Sequence, residues 1–387
     1  MHLLLMASSY PPVLGGLQTV THTLARHLIA QGHAVQVVTN RYPRALPRRE
    51  ELDGVPVERL LFLWPELGYL RRRRFDLFLA SWFYGPATLL RLATTMHFFR
   101  PDVVNVHFPD GQIPYVLWLR RRFPFHLVVS LHGDEVLRWT DDGRPTTSDQ
   151  RGLRRLRAIL QMADGVTACS GWLLGKAVEL EPSVAVKGRV IHNGVDLERF
   201  QDRTPYRYHR PFILVYGRLT RKKGFDMLLE AFAQAQTLAP DVDLILAGSG
   251  EEEMALRRQA QRLGLADRVH FFGRATSEQV VHLLNGCRFL VVPSREEPFG
   301  IVALEALAAG KPVLATRVGG LPEILEPVAG GGAVLVEPTV AGLAEGLRAC
   351  LDRLDETPDW GAGNRQRAAW FTWERMVELY LEVYGAN

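Results

Sequence analysis

Along the chain, short apolar runs alternate with stretches in which apolar positions recur every three or four residues. The runs His2–Met6, Ala34–Thr39, Asp102–His107, His126–Leu131, Gly165–Ser170 and Arg189–His192 predict buried strands. The same rhythm resumes with Phe212–Tyr216, Asp243–Ala247, Val269–Phe272, Phe289–Pro293, Pro312–Thr316 and Ala333–Val336. Between the first two runs, Leu17, Val20, Leu24 and Leu28 sit at helical spacing, and Gly32 supplies a left-handed stop. Strands interleaved with helices predict parallel sheets covered by helices on both faces. Two such series predict two doubly wound α/β domains. The seam falls near Asn193–Arg210, where Asn193–Gly194 is followed by the polar, proline-bearing stretch 201–211. In open α/β sheets a ligand sits beyond the carboxyl ends of the strands, so a cleft between the two domains is the expected site.

Composition narrows this picture. A chain of 387 residues with 47% apolar and 23% charged positions is a folded protein, long enough for two cores. Three cysteines, Cys169, Cys287 and Cys350, form no closed disulfide framework and lack metal-ligand spacing, which predicts a reducing, cytoplasmic setting and no bound metal. The apolar start Leu3–Ala7 is too short for a secretory signal, and Leu77–Leu90 falls short of a bilayer span. The net charge of +4 divides unevenly: residues 1–198 carry +6 and the remainder −2. The basic half, with its clusters Arg71–Arg74 and Arg120–Arg122, fits either a solvated helix face or an anionic partner. Residues 70–99 join the first cluster to an aromatic-rich apolar stretch. They read either as a core helix or as a surface that touches anionic lipid, a peripheral membrane contact.

Three segments carry candidate chemistry. After the first strand come Pro11–Pro12 and the pair Gly15–Gly16, where backbone amides at a helix start can approach a phosphate. No Gly-x-Gly-x-x-Gly and no Walker lysine follows, which counts against dinucleotide and P-loop readings. The strand Phe212–Tyr216 runs into Gly217, Arg218, Lys222, Lys223 and Gly224, cations at a strand end suited to a diphosphate. The segment 293–312 (PSREEPFGIVALEALAAGKP) ends a strand, carries Glu296–Glu297, and opens a helix near Phe299–Gly300. Amides of Phe299, Gly300, Ile301 and Val302 point at an anion there. Glu305 stands about 7.5 Å further up the helix axis. A carboxylate beside a diphosphate repels it, so Glu297 and Glu305 make better sense as acceptors for sugar and ribose hydroxyls. The helix around Glu305 is apolar nearly all round, which predicts a buried partner for that carboxylate.

These residues resemble the retaining, nucleotide-sugar-dependent glycosyltransferases of family four, with the GT-B architecture of two facing Rossmann-like domains. The resemblance rests on Gly15–Gly16, Ser130–Asp134 (SLHGD), Val190–Asp196 (VIHNGVD), Gly217–Arg218 with Lys223–Gly224, and Glu297 with Glu305. It implies domains at 1–198 and 199–369, with 370–387 crossing back onto the first. It implies that Arg218 and Lys223 neutralise the leaving diphosphate without a metal, Glu297 holds donor-sugar hydroxyls and Glu305 the ribose. Amides from Phe299 to Val302 would bind phosphate, backbone near Ala275 the base, Gly16 the phosphates, and His132 the donor sugar. The implied partners are a nucleotide-diphosphate sugar, with UDP-glucose before GDP-mannose, and a carbohydrate, lipid or small-molecule acceptor; no cofactor and no nucleic acid are implied. Many relatives carry glutamate where this chain has Gln18, which removes a charge on the acceptor side. A sugar-nucleotide 2-epimerase of the same architecture, a nicotinamide-dependent oxidoreductase and a catalytically silent binding protein are the competing readings.

Overall fold

The computed structural model describes residues 1–13, 15–65, 69, 73–139, 147–235, 240–326 and 331–385. Leu14 of the first glycine loop, Leu70, and Arg71 and Arg72 of the arginine cluster lie outside them. Two units emerge, one of residues 1–192 with 373–387 and one of residues 193–372.

The first unit is built on an eight-stranded sheet of order β3-β4-β2-β1-β5-β6-β7-β8. Its strands are β1 (His2–Ala7), β2 (Ala34–Asn40), β3 (Arg49–Leu52), β4 (Val55–Leu60), β5 (Val103–His107), β6 (His126–Leu131), β7 (Gly165–Ala168) and β8 (Gly188–Val190). Helices α1 (Gly16–Ala30), α2 (Phe75–Phe99), α3 (Ile113–Arg120), α4 (Asp134–Leu137), α5 (Thr147–Met162) and α6 (Gly171–Leu180) connect them. Helix α1 buries Val20, Leu24 and Leu28 against the sheet, and Gly32 stands at φ 85° beyond its end. Each such side chain contributes about 1.5–3 kcal/mol by leaving water.

The expectation of wholly parallel sheets needs one correction: β3 pairs antiparallel with β4 at the sheet edge. The cause is local. Asp53 and Gly54 both have positive φ, 49° and 80°, the signature of a two-residue hairpin turn whose twist matches its strands.

The second unit holds β9 (Phe212–Tyr216), β10 (Asp243–Ala247), β11 (Val269–Gly273), β12 (Leu290–Val292), β13 (Val313–Thr316) and β14 (Ala333–Val336). All pair in parallel, in the order β11-β10-β9-β12-β13-β14. Helices α7 (Phe225–Ala235), α8 (Glu253–Arg262), α9 (Ser277–Gly286), α10 (Ile301–Ala309), α11 (Leu321–Leu325), α12 (Val340–Glu356) and α13 (Asn364–Ala368) cover it. From β9 the chain proceeds outward to β10 and β11, then returns to β12 on the other side of β9. The switch point lies between β9 and β12, where open sheets of this type bind ligands.

Helix α14 (Trp373–Tyr384) belongs to the first unit and packs on α1 and β6. Its tyrosines complete a buried polar network in that sheet. Asn105 Nδ2 donates to the Tyr384 hydroxyl at 2.7 Å, and Tyr380 donates to Ser130 Oγ at 3.3 Å. Ser130 donates to Asn105 Oδ1 at 2.9 Å, and Thr167 to Ser130 Oγ at 2.9 Å. Polar groups this deep persist because each finds a partner.

Candidate active site

In the second unit the loops after β9 and β12 are fastened to each other. Lys223 Nζ donates to Glu297 Oε2 at 2.5 Å, and Lys222 to Glu296 Oε1 at 2.6 Å. Arg295 donates to both oxygens of Asp226, at 2.6 and 2.8 Å, and to the Arg221 carbonyl at 2.9 Å. The Arg295 amide reaches the Lys222 carbonyl at 2.8 Å. Gly224 makes the approach possible: its φ is 68°, and a Cβ there would overlap the Pro293 carbonyl oxygen. Gly319 plays the same part against the Glu297 carbonyl, which also accepts from the Gly320 amide at 3.0 Å.

Glu297 is buried, and Ser294 Oγ donates to the same Oε2 at 3.2 Å. Its Oε1 has no partner among the described residues and stays open to a hydroxyl donor. Glu305 has the partners that its apolar helix calls for, half-buried rather than buried. Arg199 Nη1 donates to Oε1 at 3.2 Å and the Tyr216 hydroxyl to Oε2 at 2.5 Å. A carboxylate offers about four acceptor positions, so roughly two remain for vicinal hydroxyls. Burial first, and then the Glu305 charge, hold the Tyr216 hydroxyl well above its ordinary pKa, so it is a fixed donor. Arg199 also donates to the Ser277 carbonyl at 2.7 Å, two residues beyond Ala275. It thereby ties the Glu305 carboxylate to the start of α9, which follows β11. Two strand spacings, roughly 10 Å, separate β9 from β11.

Helix α10 begins after Gly300, at φ 106° and pressed on Leu321. The amides of Gly300, Ile301 and Val302 have no acceptor within the helix and mark its positive end. Phe299 is buried, edge-on to Phe371 at 6.4 Å between ring centroids. Arg218 is exposed and has no ion-pair partner among the described residues, leaving its five donors for a ligand. Gly217 and Gly248, at φ 146° and 152°, let the loops after β9 and β10 touch backbone to backbone. The Gly217 amide reaches Ala247 O at 3.0 Å and the Gly248 amide Gly273 O at 2.7 Å.

In the first unit His132 ends β6. Its Nε2 lies 3.1 Å from His107 Nδ1 with the rings stacked at 5.4 Å. Burial depresses His132 to about 4, and burial plus its neighbour takes His107 well below its ordinary value, so both are neutral near pH 7. Among the described residues His107 Nε2 is buried without a partner, which is cheaper for a lone pair than for an N–H. The proton therefore sits on His107 Nδ1 and is donated to His132 Nε2, leaving His132 an Nδ1–H to offer. Glu135 accepts from the His132 and Gly133 amides and holds that turn. At α1, Gly15 and Gly16 are exposed; the Gln18 amide folds over Gly15 and donates to Ser9 Oγ at 3.0 Å.

Comparison with known proteins decides the family. The model for Glycosyltransferase Family 4 matches residues 14–199, and that for Glycosyl transferases group 1 matches residues 198–367. D-inositol 3-phosphate glycosyltransferase 1 of Catenulispora acidiphila is 30% identical over 400 residues, covering 96% of this chain and 90% of that protein. The chain belongs to the group 1, family-four glycosyltransferases. Glycogen synthase of Mycobacterium tuberculosis is 29% identical over 407 residues, covering 100% of this chain and 95% of that one. Sucrose-phosphate synthase of Thermosynechococcus elongatus shares the fold over 100% of both chains, at TM-score 0.78 and 24% identity. Anabaena HepE in complex with UDP-glucose does so at TM-score 0.74 and 21% identity, again over 100% of both chains. This glycosyltransferase thus has two Rossmann-like α/β domains of GT-B type.

Of the residues singled out in the sequence, Lys223 and Glu297 meet directly, and Glu305 stands on the helix that opens beside them. Arg218 occupies the same loop as Lys223 without touching either glutamate. His132 and Gly15–Gly16 lie in the other unit. Tyr216, Arg199 and Ser294 escaped the sequence reading, although Tyr216 directly precedes Gly217.

Glu135 was also missed, and it has a measurable consequence. Burial raises its carboxyl from 4.5 to about 7, against the pull of the two amides. A raised folded-state pKa gives stability that is complete below 4.5 and lost as pH rises through 7. His132, depressed from 6.5 to about 4, acts oppositely, its contribution fading as pH falls from 6.5. The two slopes cancel between 4.5 and 6.5. Glu135→Gln removes one of them. Relative to wild type, the variant should gain about 3 kcal/mol between pH 4.5 and pH 8. Denaturant titrations at both pH values check this, and a constant difference would contradict it.

Proposed function

We propose that this glycosyltransferase is a retaining hexosyltransferase that moves a hexose from a nucleotide-diphosphate sugar, UDP-glucose before GDP-mannose, to an acceptor hydroxyl without a metal. The carrying observation is the convergence of Lys223–Glu297 and the Arg199–Glu305–Tyr216 cluster around the start of α10 at the β9–β12 switch point. UDP-glucose in the related HepE fold supports the choice of donor.

Transfer breaks the bond between the anomeric carbon and the β-phosphate oxygen and forms one to the acceptor oxygen. The acceptor's proton passes to the leaving diphosphate, with no change of oxidation state. Negative charge grows on the diphosphate as the bond stretches. Arg218, Lys223 and the α10 amides are fixed donors for that charge and stabilise it more in the transition state than in the ground state. Glu297 Oε1 accepts from sugar hydroxyls, Glu305 takes the ribose hydroxyls, and backbone at Ala275 faces the base. The acceptor is a carbohydrate, lipid or small molecule, and the setting is the cytoplasm, with peripheral contact at the inner face of the membrane.

The test is transfer from UDP-glucose to glycogen and to D-inositol 3-phosphate in EDTA, with the product's anomeric configuration read by NMR. An α-linked product in EDTA is expected. A β-linked product, or transfer that EDTA abolishes and magnesium restores, would contradict the reading.

A further inference from the structure

Of ten strongly exposed large apolar side chains among the described residues, six lie on α2: Phe75, Leu79, Trp82, Phe83, Leu90 and Phe98. The first five recur at helical spacing and, with exposed Pro86, occupy about 100° of the helix circumference. Ser81, Gly85, Thr88, Leu92 and Met96 form the opposite, buried face. The helix is thus anchored on one side and apolar on the other, with Phe83 72% and Leu79 69% exposed. Such a face on a folded protein marks an occupant.

The charge around it selects which. Residues 73–100 contain Arg73, Arg74, Arg91 and Arg100 against a single acid, Asp76, a formal +3. Asp76 is already held by Arg74 at 2.9 and 3.0 Å. A crevice of about 100 Å³ on the helix flank adds Arg41 and Arg48 to Arg91, with Glu58, 3.5 Å from Arg91, its one acid. A second copy packed on this face, parallel or antiparallel, would set arginines against arginines at both ends of the helix. An anionic surface meets all of them with opposite charge. No described helix is long and apolar enough to cross a membrane.

We propose that α2 lies in the plane of an anionic bilayer, with Phe75, Leu79, Trp82, Phe83 and Leu90 seated at the boundary between headgroups and acyl chains. Arginines on both flanks of the helix contact lipid phosphates. This deepens the peripheral contact in the reading above and does not depend on the donor chemistry. The test is co-sedimentation of the full chain with phosphatidylcholine vesicles, with or without about a third phosphatidylglycerol. The protein sediments with the anionic vesicles at low salt, and the bound fraction falls steeply at about 1 M salt. Trp82→Ser with Phe83→Ser weakens this binding at least about tenfold, and Arg73→Glu with Arg74→Glu reduces its salt-sensitive part. Both variants keep the thermal shift produced by UDP-glucose, so a failed donor reading is distinguishable from a failed membrane reading. Three results would each overturn the proposal: no sedimentation with anionic vesicles at low salt; binding unchanged in the Trp82→Ser, Phe83→Ser protein; or a wild-type dimer that this variant converts to monomer.

Discussion

Lys223→Ala should lower kcat by about 10³-fold, while the donor KM changes far less. In the proposed mechanism the lysine meets the diphosphate and its charge matters most as the glycosyl bond stretches, so its loss falls on the transition state. The same change strips buried Glu297 of its cation, leaving only the Ser294 hydroxyl on Oε2. A lower melting temperature should therefore accompany the lost rate. Lys223→Arg, which keeps a cation on the loop, should recover stability and part of kcat, which separates charge from packing. Arg218→Ala is the complement: with no ion-pair partner among the described residues to orphan, it should cost activity by about 10²-fold at unchanged stability. Initial-rate kinetics at saturating acceptor, beside thermal unfolding of each variant, check both.

Glu305→Ala should instead raise the donor KM by about 10²-fold or more, because a site built to pair with hydroxyls loses its acceptor. Arg199 and Tyr216 would then point at a vacant position from both sides. The discriminating readout is chemical: competition by UDP against 2′,3′-dideoxy-UDP. Wild type should favour the ribonucleotide strongly and the alanine variant should not. Equal preference in both proteins would mean that Glu305 serves only to hold Arg199.

Local signals made much of this legible. All twelve apolar runs form strands; burial on both faces writes itself into consecutive residues in all but the half-exposed edge strands β8, β11 and β14. The cations after Tyr216 and the glutamates after Pro293 were visible because the carboxyl ends of parallel strands are where such folds gather ligands. The β3–β4 hairpin was missed although Asp53–Gly54 advertised it, since charged Arg49–Glu51 hides the strand's alternation. The partners of Glu305 were beyond reach for another reason. Arg199 and Tyr216 are 106 and 89 residues away; the order β9-β12 brings Tyr216 to α10, and the packing of the 198–200 turn on α10 brings Arg199. The apolar helix around Glu305 showed that a partner had to exist, not which residue it was. The same holds for His107 and His132, neighbours only because β5 and β6 pair in register.

The most direct measurement is the thermal midpoint of the full chain against UDP-, GDP- and ADP-sugars in EDTA, since a ligand that binds only the folded state raises it. The account predicts a clear upward shift with UDP-glucose, abolished in Glu305→Ala and largely kept in Lys223→Ala. A shift that survives Glu305→Ala, or none with any sugar nucleotide until a divalent metal is supplied, would contradict it.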